Sequence, residues 1–174
     1  IIASSTDTHL DYSVRAATVG KAIFCEKPID QDLARARSAA NPLSKAKLLL
    51  AFNRRFDPNF QALKARLDSG AIGTLETLQI TSNDPSSPPP SYVAVSGGLF
   101  KDMAIHDFDM ARWLLGEEAV EVYAAGSCLV DPEIGKLGDV DTARTVLKTA
   151  SGRICVISNC RRSGFGYDQR IEAY

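Results

Sequence analysis

Residues 97–115, GGLFKDMAIHDFDMARWLL, decide how the second half of this chain folds. After the paired glycines, residues 100–115 contain neither Gly nor Pro and read as one continuous helix. Ala104, Phe108, Ala111 and Leu115 recur at helical spacing and form a stripe expected to face a core. Asp102 and His106 stand four residues apart, which on a helix stacks them on one side. A carboxylate beside an imidazole can fix its tautomer, orient it and raise its basicity. An ordinary polar helix face carrying an ion pair gives the same pattern.

Alternating strands surround this helix. Upstream, Asp57 at the N-cap and Pro58 at the first helical position start a helix that Gly70 ends. Residues 78–81 then alternate as a one-sided strand, and residues 83–91, NDPSSPPPS, read as a proline-rich loop without regular structure. Downstream, strands are expected at 120–127, 142–149 and 153–159, with Ser151-Gly152 as a hairpin signal. Residues 167–174 add one more. Polar and apolar faces alternate along all of them. The expected architecture is a mostly antiparallel open sheet with helices packed on one side, an α+β domain.

The first half follows another rhythm. Residues 1–5 read as a buried strand, Thr6-Asp7-Thr8 as a helix cap, and residues 9–19 as a helix that Gly20 terminates. A second apolar strand over 22–25 closes at Glu26-Lys27-Pro28, Asp30 caps a helix to about residue 40, and 47–52 form a third strand. This β-α-β-α-β order with uninterrupted apolar strands predicts a parallel sheet covered on both faces. It is similar to the C-terminal half of a doubly wound (Rossmann-like) domain, whose ligands sit beyond the carboxyl ends of the strands. The boundary between the α/β part and the α+β part is expected near Asn53, giving domains 1–53 and 54–174. The chain starts at Ile1 inside an apolar run and stops at Tyr174 inside a strand, so both domains are expected to be incomplete.

Composition narrows the class. The chain has 174 residues, a formal net charge of −1, 45% hydrophobic and 24% charged residues. Such a balance leaves no electrostatic footprint for nucleic acid or a membrane surface. No apolar run approaches a membrane span. Cys25, Cys128, Cys155 and Cys160 have neither C-x-x-C nor zinc-ribbon spacing, so they read as reduced thiols of a cytoplasmic protein. Asp102, His106 and His9 are the only set that resembles metal ligands. His9 belongs to the other expected domain and no third histidine exists, so no metal site is expected.

Three motifs occur in register: Ser4-Ser5-Thr6-Asp7-Thr8-His9, Glu26-Lys27-Pro28, and Gly97-Gly98 followed by Asp102-x-x-x-His106-Asp107. Together they resemble the Gfo/Idh/MocA family of NAD(P)-dependent sugar and polyol oxidoreductases. Asn53-Arg54-Arg55-Phe56-Asp57, the proline-rich loop and Tyr167-Asp168-Gln169-Arg170 are most similar to its inositol 2-dehydrogenase branch. The resemblance implies that Lys27, Asp102 and His106 are the catalytic set, with Lys27 between nicotinamide and substrate and the Lys27–Pro28 peptide often cis. It places Ser5, Thr6, His9, Glu26 and Lys27 near the cofactor, and Arg54, Asp102, His106 and Tyr167 near the substrate. Independently of the family, a lysine at the end of a parallel strand can stabilise alkoxide character as hydride leaves, and an imidazole titrating near neutral pH is a natural general base. For Arg54 or Arg55, contact with polyol or cofactor and an interdomain salt bridge both remain open, and Tyr167 is equally a core or edge residue.

The Gly-rich dinucleotide fingerprint is absent from the sequence. It is expected in a segment before Ile1, where NAD versus NADP would be decided. The expected activity is NAD(P)-dependent oxidation of a ring hydroxyl of a cyclic polyol, myo-inositol before others, to the 2-keto-inositol. The alternatives are another sugar or polyol dehydrogenase of the family, or a non-catalytic dinucleotide-binding sensor or co-repressor. A homo-oligomer, dimer or tetramer, is expected through the open sheet.

Overall fold

In the computed structural model, which describes residues 1–174, Thr6–Thr8 forms a 3-10 turn that runs directly into helix α1, His9–Thr18. Gly20, at φ +69, ends this segment, since an L side chain rarely adopts that conformation. There follow β1 (Ile23–Cys25), α2 (Leu33–Ser38), α3 (Ala40–Ser44) and β2 (Leu48–Leu50). The two strands pair in parallel, Ile23 opposite Leu48 and Cys25 opposite Leu50. The expected strand over residues 1–5 is reduced to one parallel bridge, Ile2 against Cys25. Its continuation is taken up by the turn: the Thr8 hydroxyl donates to Ser5 O at 2.7 Å and bonds the Ser4 hydroxyl at 2.6 Å, a local alternative to strand pairing.

Two further expectations need correction. Asp32, not Asp30, caps α2, its Oδ1 accepting from the N–H groups of Ala34 and Arg35 at 2.7 and 3.0 Å. The helix also ends at Ser38 instead of continuing to residue 40, because Pro42 has no N–H to return to the Ser38 carbonyl. Nor is the sheet covered on both faces within these residues. Ile23 and Cys25 are buried, while Phe24 and Leu49 on the opposite face are 40% and 45% exposed.

Residues Ile1–Asn53 form one compact unit and Arg54–Tyr174 a second. In the second, Asp57 caps α4 (Pro58–Asp68) with Pro58 in its first turn, as expected. After β3 (Thr77–Asn83) the proline-rich segment is irregular only to Pro89, for α5 (Pro90–Ser96) starts inside it. Proline is pre-organised for a first helical turn, and Pro90 uses that. Next come α6 (Gly98–Asp102), α7 (Ile105–Leu115), β4 (Ala119–Ser127), α8 (Pro132–Lys136), β5 (Thr142–Thr149), β6 (Ile154–Cys160) and β7 (Asp168–Ala173). The sheet order is β4-β5-β6-β3-β7. Every neighbouring pair is antiparallel except β3 and β6, which run parallel with Asn83 opposite Cys160. The expected mostly antiparallel sheet is therefore present, with one parallel pair at its centre.

One face of the sheet carries the core. Leu78, Ile80, Leu147, Cys155 and Ile157 pack against Met110, Ala111, Leu114 and Leu115 of α7, with Phe60, Leu63 and Leu67 of α4 beside them. Fully burying side chains of this size is worth about 1.5–3 kcal/mol each, which fixes α7 across the sheet.

The helix expected over residues 100–115 is broken at Met103 and Ala104. Ala104 N–H reaches back five residues to Leu99 O at 2.9 Å, while His106 N–H reaches only three, to Met103 O at 3.3 Å. The four-residue ladder is lost at this joint, so Asp102 closes one helix and His106 lies in the first turn of the next. No helix is long and apolar enough to cross a membrane, and all four cysteines are free.

Candidate active site

In the first unit the motif residues gather at the carboxyl ends of the parallel segments. Glu26 and Lys27 follow β1 directly and are half-buried, Ser5 is exposed and Thr6 is half-buried. The Lys27–Pro28 peptide is cis. His9 is 2% exposed. Its Nδ1 lies 2.8 Å from Pro28 O and its Nε2 3.0 Å from Ser4 O. Both partners are carbonyls, which only accept, so the ring ties the turn after the first segment to the loop after β1.

In the second unit the parallel pairing of β3 and β6 brings two distant stretches to one end of the sheet. Asp84 N–H donates to Cys160 O at 2.9 Å, which sets Asp84 beside Arg161. Asp168, at the start of β7, pairs with Asn83, and the exposed Tyr167 immediately precedes it.

Asp102 joins this end from α6. The Tyr92 hydroxyl donates to its Oδ1 at 2.9 Å, and Arg161 Nη2 stands 3.8 Å from its Oδ2. Arg161 is 1% exposed, and its Nη2 is also 4.0 Å from Asp139 Oδ2. Burial pushes the Asp84 carboxyl above its ordinary range, with Arg161 pulling against it and Asp102 adding to it. Carboxylates, a cation and a phenol thus border one another, a mixed set of the kind that hydrogen-bonds a polyhydroxylated ligand, and His106 follows Asp102 across the joint, in the first turn of α7.

Arg54 and Arg55 are both committed to carboxylates of α7. Arg54 Nη1 donates to Asp107 Oδ1 in a short ion pair and its Nη2 to the Ser82 hydroxyl at 3.1 Å. Asp107 is fully buried, and Asn159 Nδ2 donates to its other oxygen at 2.7 Å. Burial raises the Asp107 carboxyl from its ordinary value, against the opposing pull of Arg54 and Asn159. Arg55 meets Asp109 with two bonds, at 2.8 and 2.7 Å, and lies over the Trp113 ring. The salt bridges of both arginines are thus not the interdomain ones expected but lie within the second unit, because the carboxylates that reach them come from α7. No group of three or more His, Cys, Asp or Glu stands close enough to hold a metal ion.

Sequence reasoning did not single out Asp84, Tyr92, Asp139, Asn159 or Arg161. Tyr92 meets Asp102 from ten residues away, whereas Asp139, Asn159 and Arg161 reach their partners through long-range contacts.

Comparison with known proteins bears on this arrangement. Residues 60–174 match the model of the GFO/IDH/MocA C-terminal domain. This chain belongs to the GFO/IDH/MocA family. It is 54% identical over its whole length to the inositol 2-dehydrogenase of Rhizobium meliloti (strain 1021), covering 53% of that protein. Its fold superposes with a TM-score of 0.95 on the myo-inositol dehydrogenase of Corynebacterium glutamicum ATCC 13032, at 43% identity, covering 99% of this chain and 52% of that one. The scyllo-inositol dehydrogenase of Lactobacillus casei, solved with NAD(H) and scyllo-inositol, gives a TM-score of 0.90 at 31% identity, over 99% of this chain and 53% of that one. The chain spans about half the length of these relatives.

Proposed function

We propose that this chain carries the chemical end of an NAD-dependent dehydrogenase that oxidises a ring hydroxyl of a cyclic polyol, myo-inositol before others, to the 2-keto-inositol. The observation that carries the reading is the polar cluster of Asp102, Tyr92, Asp84 and Arg161, with His106 in the helical turn that follows Asp102, in a family member with relatives named inositol 2-dehydrogenase. NAD, when bound, supplies the hydride acceptor; NADP is the alternative cofactor.

Residues 1–53 contribute to the dinucleotide side and residues 54–174 to substrate binding and oligomerisation. Ser5, Thr6, Glu26 and Lys27 fit the nicotinamide end, because they lie at the carboxyl ends of parallel segments where backbone and hydroxyl groups stay reachable. His9 serves that end by holding the Ser4 and Pro28 carbonyls together. Lys27 donates to the substrate oxygen as alkoxide character develops there. His106 removes the hydroxyl proton, and Asp102 orients that imidazole or a neighbouring hydroxyl. Arg54 and Tyr167 complete the polyol-binding set, Arg54 from its ion pair with Asp107. A site that pairs each hydroxyl rejects analogues that lack one. The four free cysteines accord with a cytoplasmic enzyme.

The test uses the full-length enzyme with a panel of cyclic polyols. Lys27→Ala should lower kcat by about 10²–10³-fold, the typical loss of one preorganised oxyanion donor, with NAD binding little changed. His106→Ala should lower it by about 10²–10⁴-fold and flatten the acid limb of the pH profile. Wild-type turnover in either variant would overturn the assignment. Turnover of scyllo-inositol or glucose ahead of myo-inositol would change the substrate alone, and turnover of none would favour the sensor reading.

A further inference from the structure

We infer that Tyr92 and Arg161 are a pair of positioning residues that hold Asp102, one at each of its carboxylate oxygens. The inference rests on the catalytic reading of Asp102 above and adds what fixes that side chain in place. Tyr92, in the first turn of α5, donates its hydroxyl to Oδ1 at 2.9 Å. Arg161, just after β6, points Nη2 at Oδ2 from 3.8 Å. Asp102 itself sits at the last residue of a five-residue helix, immediately before the joint where the helical ladder fails. Its backbone therefore supplies little orientation, and the side chain depends on outside partners.

Arg161 is suited to that work. It is 1% exposed, and neither its Nε nor its Nη2 makes a direct hydrogen bond. A buried guanidinium is costly unless carboxylates offset it, and Asp102, Asp139 and Asp84 are the carboxylates around it. Asp139 fixes the far end of the same short helix, both of its oxygens accepting Leu99 N–H at 3.1 Å. Arg161 thereby faces the carboxylates bound at both ends of α6. Its backbone N–H donates to Asp141 O at 2.8 Å, so the base of the side chain is anchored as well. At the other oxygen, burial first and the Asp102 carboxylate second push the Tyr92 phenol up to about 12. The hydroxyl therefore remains a donor throughout the working pH range.

A double-mutant cycle in the full-length enzyme separates positioning from simple support of the fold. Arg161→Met should lower kcat about 10²-fold, the cost of misplacing a catalytic group by about 1 Å. Tyr92→Phe should lower it about tenfold, the rate equivalent of one lost hydrogen bond to a charged group. KM for NAD should not move in either, and Arg161→Lys should recover part of the loss. On an Asp102→Asn background, both substitutions should cause little further loss of kcat, while any drop in melting temperature persists. Tyr92→Phe removes only the hydroxyl of a half-exposed ring, so it decides the matter alone if Arg161→Met does not fold. A harmful Asp102→Asn combined with full, additive losses on that background, or with no loss on the wild type, overturns this inference alone. A harmless Asp102→Asn overturns the catalytic reading and this inference with it.

Discussion

Asp107 is the carboxylate with the most to lose from a single substitution. It is fully buried, and Arg54 and Asn159 divide its two oxygens between them. Removing one partner of a buried ion pair leaves an uncompensated charge and typically costs about 3–5 kcal/mol. Arg54→Met should therefore destabilise the protein by an amount of that order, measured by urea unfolding near pH 7.5. The pH dependence identifies the cause. Burial already raises Asp107 despite Arg54, so its protonated form is favoured in the folded state. Such a group adds stability below its unfolded value of about 3.9, and that contribution is lost as pH rises through the folded value. Without the guanidinium the folded value rises further, so the deficit of Arg54→Met should be largest at neutral pH and shrink at pH 5. A deficit that is the same at both would assign Arg54 to packing alone.

Most elements were legible because their signals are local. Asp57-Pro58 opened a helix, Ser151-Gly152 turned a hairpin, and alternating residues placed the strands of the second unit. The broken helix was not legible, since nothing in KDMAI interrupts a helix locally. The joint follows from tertiary contacts that override propensity, with Asp139 on Leu99 at one end of α6 and Arg161 and Tyr92 on Asp102 at the other. The site divides in the same way. Lys27, Asp102 and His106 were named by motif, while Arg161 and Asn159 arrive through the parallel pairing of β3 and β6, as in the Asn159 to Ser82 bond across 77 residues. Asp141 is a comparable long-range organiser. Its carboxylate collects the N–H groups of Leu129, Val130 and Asp131, each at 2.8 Å, and orders the connection between β4 and α8. Burial works to raise this carboxyl, but the backbone bonds outweigh it and hold it down to about 2. Its stabilisation is therefore present above the unfolded value of about 3.9 and is lost as pH falls through about 2. Asp141→Asn turns an amide toward donors and should cost about 2–3 kcal/mol at neutral pH, with the gap to wild type closing in acid. Equal unfolding midpoints at pH 7 would remove Asp141 from this role.

At the scale of the whole molecule, the sheet of the second unit has a covered face and an open one. α7 and α4 cover the side of Leu78, Ile80, Leu147 and Ile157. On the open side Tyr123, Val146 and Val156 stand in one row across β4, β5 and β6. Tyr123 and Val156 are 69% and 37% exposed. β4 also leaves its outer edge unpaired, since it ends the strand order. Exposed edges and apolar rows invite pairing, and Lys148–Glu121 is an ion pair of 2.8 Å on the same face. We propose that a second copy of the full-length protein covers this row, so that the expected dimer or tetramer forms through the open side of this sheet. Val156→Lys places a charge at the β6 end of the row without touching the covered core, so the fold should survive. Sedimentation of the full-length protein should then show the wild-type oligomer reduced to smaller species, with circular dichroism unchanged. Because Asp84 and Arg161 extend from the ends of β3 and β6, the central strands of this sheet, dissociation should also lower kcat/KM, and raising the protein concentration should restore part of it. A Val156→Lys protein that sediments as the wild type does would place the interface elsewhere.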